Sequence, residues 1–164
     1  MKTNNKGFTL IELIVVIVII GIMAGLVGLS VSSVSSVNAR RNASSVDSLI
    51  SKCRTGSLSR AGDVHLTLSL DSNGDIVGYY YENGLLVSTD KFSGHKVTVT
   101  YTTKLGASET LVSLEGHPLT LSFDRATGAQ KPQSDGSYCT AIAFTNNQTY
   151  TITLVPSTGN HRLA

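Results

Sequence analysis

The chain has 164 residues, 41% of them apolar, and a formal net charge of +2. Lys2 and Lys6 account for that excess, and the balanced remainder argues against a general polyanion or nucleic-acid binder. Two cysteines without a C-x-x-C, and four scattered histidines (His65, His95, His117, His161), exclude the ligand spacing of a zinc site.

Met1 to Lys6 form a short basic leader ending at Gly7. Gly7-Phe8-Thr9-Leu10-Ile11-Glu12-Leu13 follows, then an apolar run to Leu29, with no further charge until Arg40. From Phe8 the pattern predicts one long helix. Leu13 to Leu29 would cover about 25 Å at ~1.5 Å per residue, and Phe8 to Leu10 extend it toward the thickness of a bilayer. Glu12 is the anomaly. An ionised carboxylate in such a segment costs roughly 2.5–3.5 kcal/mol on insertion scales. A helix that only anchored would have no use for it, so its presence predicts a partner for the charge. Gly21, Gly25 and Gly28 each weaken the helix by about 1 kcal/mol relative to alanine. With Ala24 they offer a small-residue face for close helix–helix contact. An ordinary signal peptide cut near Met23-Ala24-Gly25 is a competing reading. The early carboxylate and the length of the run oppose it. A plain membrane anchor is another, and describes the same segment before any assembly.

Ser30 to Val37 alternates serine with Val31, Val34 and Val37, a transition out of the apolar region. Val46, Leu49, Ile50 and Cys53 then recur at i, i+3, i+4 and i+7, the stripe of an amphipathic helix. Leu58 and Ala61 extend it imperfectly, and Gly62-Asp63 ends it. Arg40, Arg41, Arg54 and Arg60 are expected to face outward from a basic stem, with no interleaved aromatics of the nucleic-acid-binding kind.

After Asp63 the period changes from 3.6 to 2. Val64 to Leu70 predicts a first strand, and Asp71-Ser72-Asn73-Gly74-Asp75 a turn. Ile76 to Glu82 and Leu85 to Lys91 form a hairpin around Asn83-Gly84, the strongest short hairpin signal. A fourth strand follows at Val97 to Tyr101 and a fifth at Thr110 to Glu115. The sixth is Leu119 to Phe123, closed by Ala126-Thr127-Gly128. Residues 129–137 read as a loop, Tyr138 to Thr145 as a seventh strand and Tyr150 to Leu154 as an eighth. Pro156 to Gly159 turn into a short tail. The fold class is therefore α+β: a long N-terminal helix, its first half membrane-spanning, packed on an antiparallel β-rich head. The expected divisions are a leader at 1–7, a transmembrane and assembly helix at 8–37, a stem at 38–62 and a β head at 63–164.

Little in the head invites chemistry. Asp71, Asn73 and Asp75 place oxygens at alternating positions, as calcium loops do. The EF-hand pattern would need glycine at Ile76 and a later glutamate, so a plain turn is the stronger reading. Tyr79-Tyr80-Tyr81 puts Tyr79 and Tyr81 on one face, for core or interface packing rather than a carbohydrate platform. Cys53 and Cys139 are a candidate disulfide if the head lies outside the cytoplasm, and two small buried residues otherwise. No G-x-S-x-G and no phosphate loop occurs. No cofactor, no metal and no catalysis are expected.

The run from Gly7 to Leu13, with its basic leader and apolar sequel, resembles the processing site of the type IV pilin and pseudopilin family. The resemblance implies cleavage between Gly7 and Phe8 by a prepilin peptidase/methyltransferase, with N-methylation of Phe8. It implies that Glu12 pairs with the N-terminal amine of a neighbouring subunit. The remaining partners it implies are sister subunits, an inner-membrane assembly platform and the membrane itself. The protein would be single-pass, with a cytoplasmic N-terminus, an extracytoplasmic head and a place in a filament after assembly. Some members of the family bind calcium in the head. Leu121-Ser122-Phe123-Asp124 running into Thr127-Gly128, and Thr149 to Leu154 followed by Thr158 to Leu163, look like H-type minor pseudopilins and their closing hairpin. The expected function is a minor pilin or a type II secretion pseudopilin. The alternative is a filament-tip module whose β head contacts DNA, glycan or a secreted protein.

Overall fold

A computed structural model describes the backbone of residues 10–94 and 96–164, with the side chains of 24–37 outside the description. The chain forms two compact units, Met1–Val34 and Ser35–Ala164. Helix α1 covers Leu10–Ser59. From Leu10 to Met23 every residue is exposed. Among the described residues no helix is long and apolar enough to cross a membrane.

Nine strands follow: β1 (Val64–Leu70), β2 (Ile76–Glu82), β3 (Leu85–Phe92), β4 (Thr98–Leu105), β5 (Ser108–Ser113), β6 (Leu119–Ser122), β7 (Tyr138–Thr145), β8 (Thr149–Val155) and β9 (Asn160–Leu163). They make two antiparallel sheets, ordered β3-β2-β1-β6 and β5-β4-β7-β8-β9. The α+β reading and the antiparallel head stand. Asn83 and Gly84 both take positive φ (52° and 75°), the backbone that a two-residue hairpin demands. The fifth strand starts earlier than its apolar residues indicate, because the turn at Gly106 pins Leu105 opposite Ser108. The expected tail is a ninth strand: Val155 to Ile152 pair with Asn160 to Leu163 in a closing hairpin.

The core lies within Ser35–Ala164, where α1 and both sheets contribute to one buried cluster. The stripe from Val46 to Cys53 is buried as expected. It continues differently at both ends. Toward the N-terminus it runs through Asn42, Ala43 and Ala39. Both alanines are fully buried, and the Asn42 amide donates to Ser93 O at 2.7 Å. Toward the C-terminus it passes through Gly56 and Ser57, whereas Leu58 and Ala61 are exposed. Leu58 lies five residues beyond Cys53, about 140° from it around the helix, and so misses the buried face. Two glycines mark the closest approaches. A Cβ at Gly78 would meet Leu49 Cδ1 at 2.6 Å, and a Cβ at Gly56 would fall on the Tyr80 hydroxyl. Tyr80, the middle tyrosine, is thus the core residue, against the sequence emphasis on its neighbours. Tyr79 and Tyr81 lie half-buried on the opposite face, where Tyr81 stacks on His65 with centroids 4.8 Å apart.

Candidate functional site: the N-terminal segment and the helix–head junction

Gly7 and Phe8 lie outside the described residues. The described part of the helix runs from Leu10 and holds Glu12. Glu12 is surrounded along the helix by exposed Ile11, Leu13, Val15 and Val16. Burying one such aliphatic side chain is worth about 1.5–3 kcal/mol, so an apolar surface on every side of a helix calls for lipid or other helices around it.

Residues 2–28 match the family model described as the prokaryotic N-terminal methylation motif. The likeness lies in this N-terminal segment. The match covers the leader, Gly7, Phe8, Glu12 and most of the apolar run, and it supports the resemblance to type IV pilins and pseudopilins. No curated protein and no solved structure is detectably similar to it.

In the head, the candidate cation turn is internally closed. Asp71 Oδ1 accepts from the backbone N–H groups of Asn73 (2.8 Å) and Asp75 (2.9 Å). The Lys91 ammonium donates to Asp71 Oδ2 at 2.7 Å and lies 3.1 Å from Asp75 Oδ2. Asn73 gives its backbone rather than its side chain, and Lys91 supplies the positive charge between the two carboxylates. Among the described residues no group of three His, Cys, Asp or Glu side chains is arranged to hold a metal. The hydrogen bond from Lys91, with the turn's N–H groups, holds the Asp71 carboxyl below its ordinary range, and Lys91 is raised in return. The stabilisation is therefore complete above the ordinary carboxylate range and is lost as pH falls through the lowered value. An NMR titration should find Asp71 titrating below exposed aspartates, and Lys91→Met should move it back up; an unmoved Asp71 would refute the pairing.

Cys53 and Cys139 are free buried thiols, so the disulfide that the sequence allowed is not formed in the structure. Cys53 Sγ turns toward Leu121 O (3.7 Å) and Cys139 Sγ toward Ala141 O (3.6 Å). Burial pushes each thiol up to about 12, with the Asp63 charge adding to the effect at Cys53. Both behave as apolar packing residues with little thiolate for exchange.

The basic stem is also more committed than expected. Arg54 is half-buried: its guanidinium donates to Thr158 O (3.0 Å) and Gly128 O (3.4 Å), tying α1 to the two Thr-Gly turns. Lys52 donates to Ser88 Oγ (3.0 Å) and stands 4.8 Å over the Tyr80 ring. Arg60 pairs with Glu82. Arg40 and Arg41 remain exposed.

One constellation had no signal in the sequence. Ser51 and Asp47 on α1 meet His161 on β9. Ser51 Oγ lies 2.8 Å from His161 Nε2, and Asp47 Oδ1 lies 3.7 Å from the same nitrogen. Both groups address one ring nitrogen, whereas His161 Nδ1 has no hydrogen-bond partner among the described residues. A hydrolytic triad needs the carboxylate on Nδ1, so this arrangement docks β9 on the helix rather than activating Ser51.

Proposed function

We propose that the chain is a minor pilin or pseudopilin: a structural subunit of a type IV pilus or a type II secretion pseudopilus, with no reaction of its own. A prepilin peptidase/methyltransferase cuts between Gly7 and Phe8 and methylates the new amine. The released helix sits in the inner membrane with the head outside the cytoplasm. An assembly platform then transfers it from lipid to a bundle of sister helices. The observation that carries this reading is the methylation motif over residues 2–28, joined to a helix whose residues are exposed throughout Leu10–Met23. Lipid and sister helices are two environments that satisfy such a surface in turn.

Mass spectrometry of membrane-extracted protein tests it. The expected chain starts at methylated Phe8. Gly7→Val should block the cut, because a branched side chain crowds the peptidase at the scissile bond. An intact Met1 in cells with active prepilin peptidase would overturn the reading.

A further inference from the structure

We propose that Arg40 and Arg41, with Ser44 and Ser45, form a cradle for the phosphate of an anionic phospholipid where α1 leaves the bilayer. The contact rests on the subunit reading above for one thing only, the placing of the apolar helix in a membrane. The cradle itself lies within Ser35–Ala164.

The stem's other cations are engaged by the head. Lys52 bonds to Ser88, Arg54 to the two Thr-Gly turns, and Arg60 pairs with Glu82. Arg40 and Arg41 are exposed and make no hydrogen bond or ion pair among the described residues. Their place on the helix explains this. Ala39, Asn42, Ala43 and Val46 turn inward, which leaves Arg40, Arg41 and Ser44 on the solvent face with Ser45 half-buried beside them. Ser44 follows Arg40, and Ser45 follows Arg41, by one helical turn, so the four side chains form two adjacent i, i+4 pairs. Together they line one shallow depression of about 300 Å³. Two guanidinium groups offer planar arrays of N–H donors and two hydroxyls add single donors, a set that matches the several oxygens of a phosphate. No carboxylate closes it, in contrast to Lys91 between Asp71 and Asp75. The stem's one acid, Asp47, lies by His161 instead.

Position selects the source of the phosphate. Arg40 is the first charge after Glu12. The helical path from Leu10 to Arg40 is about 45 Å at ~1.5 Å per residue, against about 40–45 Å for a bilayer with its headgroup regions. Long side chains on a helix lean toward its N-terminus, which for both arginines is the side of the apolar run. Lipid phosphates are fixed at that level at high density, and they attract basic residues within a Debye length of the surface. Each such arginine is worth about fivefold in association with an anionic surface.

Electron spin resonance tests the contact, with the full chain in phosphatidylcholine vesicles carrying spin-labelled phosphatidylglycerol or spin-labelled phosphatidylcholine. The phosphatidylglycerol label should associate more strongly, by up to about 25-fold for two arginines. Arg40→Gln with Arg41→Gln keeps good helix formers and should bring the ratio close to one. Arg125→Gln with Arg162→Gln removes two exposed cations of the head and should leave the ratio unchanged. Equal falls in the two double variants would show attraction by net charge, and overturn the cradle. Exchanging chloride for inorganic phosphate at matched ionic strength should leave the preference in place. Its loss would assign the cradle to soluble phosphate and overturn the lipid contact. An alkaline wash of the same vesicles reports insertion separately. A chain that resists the wash but shows no preference for phosphatidylglycerol overturns the headgroup contact and leaves the subunit reading intact. A chain that washes off overturns the membrane helix, and with it both the subunit reading and the contact.

Discussion

Gly159→Ala is expected to destabilise the head by about 2–5 kcal/mol, the sum of a left-handed backbone penalty of ~1–2 and an overpacking cost of ~1–3. Gly159 takes φ +65°, and a Cβ there would fall 1.9 Å from Gly128 O and 3.0 Å from Phe123 Cδ1. The backbone oxygen cannot move aside. Gly128 is itself in the left-handed region, and its N–H is bonded to Asp124 O at 2.8 Å. The same small volume holds Arg54, which donates to Gly128 O and Thr158 O. Moving either turn therefore loosens the tie between α1 and the head. Gly106→Ala is the comparison. That residue has φ +61° with nothing within 4 Å of the added Cβ, so only the backbone penalty of about 1–2 kcal/mol applies. Denaturant unfolding of the two full-length variants should give the larger loss for Gly159. Equal losses would show that the close approach between the turns contributes nothing.

The contrast between those glycines also shows what the sequence could reveal. A turn is a local event, so Thr127-Gly128 and Thr158-Gly159 were legible as turns, and Asn83-Gly84 as a hairpin. That the first two turns meet, with Arg54 between them, depends on residues 74 and 104 positions apart. No periodicity encodes such a meeting. The same holds for His161 with Ser51 and Asp47, and for Lys91 closing the Asp71 turn. Strand positions were readable because apolar residues alternate on β1, β6 and β8. Their division into two sheets was not, because β6 returns to β1 past two intervening hairpins, β2–β3 and β4–β5, and alternation says nothing about neighbours. The helix stripe was read where its residues are large. It was missed at Ala39, Asn42 and Ala43, where close packing selects small size and one buried amide, and hydrophobicity gives no contrast. The N-terminal motif was the most legible part, because it is contiguous: Gly7, Phe8 and Glu12 lie within the one short run that the family model matches.

Replacing Glu12 with alanine should separate insertion from assembly. An ionised glutamate opposes burial in lipid by roughly 2.5–3.5 kcal/mol, so the variant should reach the membrane at least as well as the parent chain. Processing between Gly7 and Phe8 should continue, since the cut precedes any pairing, whereas methylation of Phe8 is expected to fall. Incorporation among sister subunits should fail or slow severely. In the proposed bundle the Phe8 amine of a neighbour is buried beside Glu12, and truncating one member of a buried pair costs about 3–5 kcal/mol because the other charge is left uncompensated. Apolar packing along Leu10–Met23 does not replace the lost pairing: it favours many axial offsets nearly equally, whereas one buried ion pair selects a single register. Glu12→Gln adds a finer test. It keeps the shape and a hydrogen-bond acceptor but removes the charge, so a charge pair requires it to fail nearly as badly as alanine. The measurement is co-purification with sister subunits at matched membrane levels. If alanine and glutamine variants both incorporate normally, Glu12 does not set the register, and the chain is an anchored head rather than a filament subunit.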